Sequence, residues 1–209
     1  MNTASESWLG GLVAGLGPVG EETMSRLHAR LITRADATGM LDVAYRTIDS
    51  PVGSLLLAAT GQGLVRVAYA GPAGQGYDKV LAQLAERVSP RILRAPRRLD
   101  AAATQLDEYF AGTRHDFDLA LDLRLVHGFR RTVLTQLREV GYGQTASYAA
   151  VAAAAGRPTA VRAVGTACAT NPLPIVVPCH RVIRADGSTG QYVGGTAAKQ
   201  TLLTLEAAA

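Results

Sequence analysis

The stretch Ile175-Val176-Val177-Pro178-Cys179-His180-Arg181-Val182-Ile183 sets a thiol, an imidazole and a guanidinium side by side behind a β-branched run. Valine and isoleucine are stiff at χ1 and favour extended backbone, so the run predicts a short strand. Pro178 fixes its own φ and has no N–H for a ladder, which ends that strand just before Cys179. A cysteine at a strand end, beside groups that favour its thiolate, is a candidate nucleophile. The role expects a sulfur that solvent can reach and that faces whatever brings the substrate.

Immediately upstream lies what could bring it. Ser147 predicts the cap of a helix running to Ala155, Gly156-Arg157-Pro158-Thr159 a tight turn, and Ala160 to Ala169 a second helix. Two short helices around a four-residue, glycine-containing turn form a helix-turn-helix candidate, although an ordinary helical hairpin has the same pattern. The second helix carries mostly small side chains and one long arm, Arg162. Before it, Phe129, Val133, Leu137 and Val140 mark another helix, broken by Gly141-Tyr142-Gly143.

The first half reads differently. Residues 1–20 are glycine-rich and expected to be poorly ordered, and a helix is expected from about Glu21 to Ala35. From Leu41 a two-residue alternation begins, with turns at Ser50-Pro51-Val52-Gly53 and Gly61-Gln62-Gly63, predicting a three-stranded antiparallel meander that ends at Tyr69. Tyr77 to Val88 reads as a helix. Pro96 opens another, with Leu99, Ala103, Leu106 and Phe110 on one stripe and Gly112 as its stop. Residues 113–126 read as an extended connector. Nothing in this half resembles a catalytic cluster.

Composition narrows the function class. No apolar run approaches transmembrane length and no secretion signal opens the chain, so an intracellular, cytoplasmic protein is expected. Cys168 and Cys179 are too few for a disulfide framework or a zinc–cysteine site. The net charge of +4 is uneven. From His127 onward eight Lys+Arg face three acids, a net +5, which leaves −1 for residues 1–126. A basic second half suits a polyanionic partner, nucleic acid first, or simply a solvated surface.

Arg162-Ala163-Val164-Gly165, then Asn171-Pro172-Leu173-Pro174 running into Pro178-Cys179-His180-Arg181, then Gly190-Gln191-Tyr192-Val193-Gly194-Gly195 with Lys199 and Glu206, resembles the O6-alkylguanine-DNA alkyltransferases. The resemblance covers Phe129 to Glu206, and the meander-and-helix unit fits that family's variable N-terminal domain. It implies an α+β protein: a 1–40 extension, a 41–122 domain with a small antiparallel sheet of ribonuclease-H-like type, and a 123–209 winged-helix-like domain with a helix-turn-helix. The implied reaction rotates O6-methylguanine, with O4-methylthymine as a secondary candidate substrate, out of duplex DNA and moves its alkyl group irreversibly onto Cys179. The implied partner is double-stranded DNA with alkylated bases, met by a monomer away from membranes, without metal or cofactor.

The resemblance also distributes roles. His180 acts on the thiol proton through a water and Glu206 orients its imidazole, in the logic of a triad. Asn171 ties the recognition helix to the active-site segment, and the Tyr148 hydroxyl reaches the flipped nucleotide. Arg162 fills the gap left in the stack, with Ala160 and Gly165 on the same DNA-facing helix. Arg157 and Arg130 contact phosphates. Pro174, Tyr192, Val193, Gly194 and Lys199 form the base pocket. Several relatives carry serine at the Val193 position and many bacterial ones proline at Gly141. Two other readings are weighed: a sensor that flips bases without repairing them, against which Cys179 itself argues, and a thiol hydrolase, for which no oxyanion loop is evident.

Overall fold

A computed structural model of the chain describes residues 20–70 and 76–208, so the expectation of poor order over residues 1–20 falls outside the described residues except for Gly20. The described residues form two compact units, one up to Leu41 and one from Asp42 onward. The first contains helix α1, Glu21–Ala37, with Glu21 and Glu22 in its first turn and Arg34 in its last, each at the end its charge favours. Gly39, at φ 64°, ends it in the left-handed region.

The second unit opens with three strands, β1 (Val43–Ile48), β2 (Leu55–Thr60) and β3 (Gly63–Tyr69), paired antiparallel as their alternation predicts. A fourth strand, β4 (Ile92–Arg94), runs parallel to β1, which corrects the expected antiparallel sheet to a mixed one of order β3-β2-β1-β4. Three residues leave too little alternation to signal a strand, and β4 is held by pairing alone. Helix α2 (Asp78–Arg87) buries Leu84 against Val43, Leu56, Ala58 and Val65. Strand β2 is buried from Leu55 through Ala59, the continuous apolar pattern of a strand covered on both faces. A 3-10 turn at Pro96–Leu99 leads into α3 (Asp100–Phe110), which buries Ala102, Ala103, Leu106 and Tyr109.

The connector is fastened to the sheet rather than merely crossing it. Leu64 donates to the Ala120 carbonyl at 2.8 Å and receives the Asp122 N–H at 2.9 Å. Thr60 adds a 2.6 Å bond to the Asp122 carboxylate. Gly63 permits this approach: a Cβ there would lie 2.2 Å from the Ala120 carbonyl oxygen.

The helical half follows: α4 (Phe129–Leu137), α5 (Tyr148–Ala154), α6 (Val161–Ala169) and α7 (Gly195–Ala207). Ser147 caps α5 by accepting the Ala150 N–H at 3.1 Å. Gly156, at φ 76°, turns the chain towards α6. Val133, Leu134 and Leu137 of α4, Val151 and Ala152 of α5, and Val164, Ala167 and Cys168 of α6 are buried, which gives the three helices a shared interior. The architecture is α+β, a sheet unit followed by a helical one.

The decisive stretch departs from its expected strand. Pro174 and Val177 form only an isolated bridge, and Cys179–Arg181 is a 3-10 turn. Extended pairing resumes as β6 (Val182–Ile183), parallel to β5 (Ala146–Ser147), just before α5. The β-branched propensity loses to tertiary context: Ile175 sits at φ 74°, a left-handed conformation costly for a branched residue, and the Val177 carbonyl turns inward to side-chain and backbone donors.

Candidate active site

The site is built from the segment between α6 and β6. Asn171, immediately after α6, is buried and uses its whole amide. Its Nδ2 donates to the Val177 carbonyl at 2.9 Å and to Cys179 Sγ at 3.1 Å, while Oδ1 accepts the Leu173 N–H at 2.9 Å. Three hydrogen bonds from two atoms of one side chain therefore fix the bend that carries the thiol. The edge of the sheet contributes from outside: the Val67 N–H donates to the Pro172 carbonyl at 2.8 Å.

Cys179 is 1% exposed, contrary to the expectation of a solvent-reachable sulfur. Burial raises its thiol, and the Asn171 N–H and the Lys199 charge only partly offset this, leaving a pKa of about 11. At neutral pH the resting group is a thiol. The neighbouring guanidinium expected to favour the thiolate points elsewhere. Arg181 Nε and Nη2 each donate to Glu206 at 2.9 Å, and Nη1 donates to the Val140 carbonyl. The companion Cys168, buried in α6, is pushed up to about 12, again chiefly by burial.

Glu206, in the last turn of α7, is the charge on which the site converges. Oε1 accepts from Tyr109 Oη at 2.7 Å and pairs with His180 Nε2 at 2.9 Å; Oε2 accepts the Gly143 N–H at 3.2 Å. Burial alone would raise this carboxyl, but the donors from His180, Arg181 and Tyr109 bring it down to about 2. An ionised carboxylate can only accept, so Nε2 of His180 carries the proton. Burial, set against the bond from Glu206, lowers the His180 pKa and keeps the imidazole neutral at pH 7. Its Nδ1 is then an unprotonated acceptor, buried and without a hydrogen-bond partner among the described residues.

The remaining predicted residues fall around this centre in different ways. Tyr192 is buried, its hydroxyl 3.0 Å from that of Tyr69 and its ring edge-on to His180 at 6.2 Å. Gly194 lies against Tyr69, where a Cβ would come within 2.5 Å of the ring, and a Cβ at Gly190 would lie 2.3 Å from Tyr148 Oη. Those two glycines let the 190–194 loop sit flat on two tyrosines. The Tyr148 ring also reaches Gly165 of α6, 4.0 Å from where a Cβ there would be. Pro174 is buried beside the thiol segment and Val193 is exposed. Lys199 is fully buried; its Nζ donates to the Val182 carbonyl, and its charge acts on both cysteines rather than forming an open wall. Arg162 is exposed on α6 and Ala160 precedes its first turn. Arg157 is exposed with its guanidinium 5.2 Å above the Phe129 ring, and Arg130 is exposed with Nη1 3.4 Å from Thr170 Oγ1.

Sequence reasoning missed two members of the Glu206 cluster. Arg181 stands next to His180, and a cation beside a triad-like histidine was the available signal. Tyr109 gave none, because it arrives from α3 in the half that held no catalytic pattern. Among the described residues no helix is long and apolar enough to cross a membrane, and no group of three or more His, Cys, Asp or Glu could hold a metal ion.

An α+β chain with a buried thiol, a carboxylate-oriented imidazole and an adjoining helix pair with an arginine arm belongs to the class of cysteine-dependent proteins joined to a nucleic-acid-binding type of domain. Residues 43–123 match the 6-O-methylguanine DNA methyltransferase ribonuclease-like domain, and residues 128–208 match the DNA binding domain of the same family. The chain belongs to the 6-O-methylguanine DNA methyltransferase family. It is 42% identical over 164 residues to a methylated-DNA–protein-cysteine methyltransferase of Mycolicibacterium paratuberculosis, covering 78% of this chain and 92% of that one. The constitutive enzyme of that name from Bacillus subtilis is 36% identical, covering 78% and 94%. The crystal structure of Mycobacterium tuberculosis O6-methylguanine methyltransferase superposes with a TM-score of 0.68 at 39% identity, covering 79% and 93%. A structure of Mycobacterium tuberculosis OGT in complex with DNA gives 0.67 at 39% identity over the same shares.

Proposed function

We propose that this chain is a methylated-DNA–protein-cysteine methyltransferase that repairs DNA by moving the alkyl group of O6-methylguanine onto Cys179. The observation that carries the reading is the arrangement of Glu206 and His180: an ionised carboxylate holds the proton on Nε2 and leaves Nδ1 free to accept one. The sulfur attacks the methyl carbon, the S–C bond forms as the C–O6 bond breaks, and the thiol proton passes to His180 through a water. The guanine leaves with a proton supplied from the Tyr148 hydroxyl. Because the thioether is stable, each molecule acts once, and O4-methylthymine is a second substrate on the same chemistry.

The buried sulfur sets a requirement on binding. Reacting atoms must come within about 3–3.5 Å, so the base has to leave its stack and enter the protein. Access is through the 190–194 loop, which packs over tyrosines without a salt bridge among the described residues. The α5–α6 pair docks on the duplex in this reading, with Arg162 in place of the extruded base and Arg157 and Arg130 on phosphates. Burial that holds the thiol protonated at rest also protects it from adventitious alkylators, so that reactivity appears only when the substrate occupies the site.

The test is to incubate the protein with a duplex carrying a labelled methyl on guanine and to weigh the peptide containing Cys179. One label per protein on that peptide is the expected result. Tight binding with no label would overturn transfer in favour of a sensor, and repeated turnover would overturn it in favour of a hydrolase.

A further inference from the structure

An open cleft of about 320 Å³, with room for roughly ten waters, lies beside the site and has an unusual lining. Three guanidiniums border it: Arg66 from β3, Arg87 from α2 and Arg130 from α4. Leu125, Asn171 and Val193 supply the rest of the wall that matters here. Among the described residues no carboxylate pairs with any of the three arginines. Arg87 Nη2 donates only to the Leu125 carbonyl at 3.3 Å, Arg130 only to Thr170 Oγ1 at 3.4 Å, and Arg66 Nε is buried with no hydrogen-bond partner.

Such an arrangement is unfavourable by itself. Burial lowers the Arg66 pKa, and the like charge of Arg87 adds to it. Elsewhere in the same unit four other arginines take carboxylates: Arg46 with Asp100, Arg91 with Asp42, Arg114 with Glu108, Arg124 with Asp122. The polar amide of Asn171 is spent on Cys179 and Val177, so the cleft offers donors and few acceptors. Planar guanidinium forks bordering one cleft, with no anionic acceptor among the described residues, match the oxygens of a phosphate group, which a guanidinium can bind in bidentate fashion.

From this lining we infer that the Arg66–Arg87–Arg130 cleft binds a phosphate group, one that neutralises charge contributed by the sheet half of the unit as well as by α4. The site goes beyond the reading above in assigning Arg66 and Arg87. The phosphate is either a backbone phosphate of bound DNA, in which case the inference rests on that reading, or a free phosphate ion.

Arg66→Gln, Arg87→Gln and the double variant separate these sources in the full-length chain. Binding of an undamaged duplex is measured across a salt series, and Tm is measured in sodium phosphate against sodium chloride at matched ionic strength and pH. If the source is DNA, the slope of log K against log salt becomes shallower by about 0.9 for one phosphate lost, and phosphate raises Tm no more than chloride does. If it is free phosphate, phosphate raises the Tm of the parent, the double variant loses that rise, and the slope is unchanged. A parent without a phosphate-specific rise, together with a double variant of unchanged slope, overturns the site. Arg66 is half-buried, so the exposed Arg87 single variant carries the test should Arg66→Gln unfold. Methyl transfer by the parent is scored in parallel: failure of label to reach Cys179 while the duplex still binds would count against the proposed transfer alone, since the DNA source of the phosphate rests only on the duplex-binding part of that reading.

Discussion

Replacing Glu206 by glutamine keeps the side chain's size and removes its charge from beneath a guanidinium, a neutral imidazole and a phenol. The parent carboxylate accepts from Arg181 twice, from Tyr109, from His180 and from the Gly143 N–H. Its side chain is 1% exposed, so solvent screens little of this. The fall of its pKa from the ordinary 4.5 to about 2 corresponds to about 3 kcal/mol of native-state stabilisation at neutral pH. Breaking a buried pair typically costs about 3–5 kcal/mol, because Arg181 would stay buried and uncompensated. Each kcal/mol moves Tm by roughly 2–4 °C in a chain of this size. Glu206→Gln should therefore melt some 6–20 °C below the parent at pH 7. The sign follows from a depressed carboxylate: its contribution is fully present above pH 4.5 and is lost as pH falls towards 2. Thermal melts of parent and variant between pH 7 and pH 2.5 should thus differ most at neutral pH and converge in acid. A variant that melts within two degrees of the parent at pH 7, or a gap that persists at pH 2.5, would refute the assignment of Glu206 as the charge that organises the site.

Cys179→Ala should abolish label transfer and leave affinity for duplex DNA within about threefold, since the sulfur contributes chemistry and few contacts; an equal loss of binding would contradict that division. Without DNA, alkylation of Cys179 by iodoacetamide should rise about tenfold per pH unit and level off only near pH 11. A plateau by pH 8.5 would mean a thiolate already formed at rest. Gly190→Ala would set a Cβ 2.3 Å from Tyr148 Oη. Displacing that hydroxyl should slow transfer roughly ten- to a hundredfold with little change in Tm, and an unchanged rate would remove Tyr148 from the chemistry. Arg162→Ala should slow transfer on duplex more than on single strands, where no stack needs filling; equal rates on both would end its role as the intercalating arm.

Local signals carried most of the fold. The alternation in β1 to β3, the Pro96 start, the Ser147 cap and the Gly156 turn each depend on a few adjacent residues, and each formed where the pattern lies. The failures share another cause. Three residues of β4 exist only through pairing with β1, and the valines before Pro178 give up a strand because Asn171 claims the Val177 carbonyl. Within the site, the Cys179-His180 adjacency was legible, but the protonation of the thiol depends on what covers it. That cover comes from Asn171, bonded to the sulfur, and from the buried Tyr192, and the Cys179-His180 adjacency shows neither. Arg181 was visible yet assigned to the wrong partner, because adjacency in sequence does not tell which way a side chain turns.

The bond from Tyr109 to Glu206 has an implication for how the chain could be divided. Its phenol is buried, and burial together with the Glu206 charge beside it drives the hydroxyl pKa far upward, so it serves as a permanent donor. It rides on α3, outside the 128–208 stretch that bears the thiol, the imidazole and the carboxylate. A minimal version cut down to that stretch, or grafted onto a foreign scaffold, would keep every residue of the motif and still lack one of the five donors that hold the carboxylate in place. Any such transplant would have to bring a phenol with it.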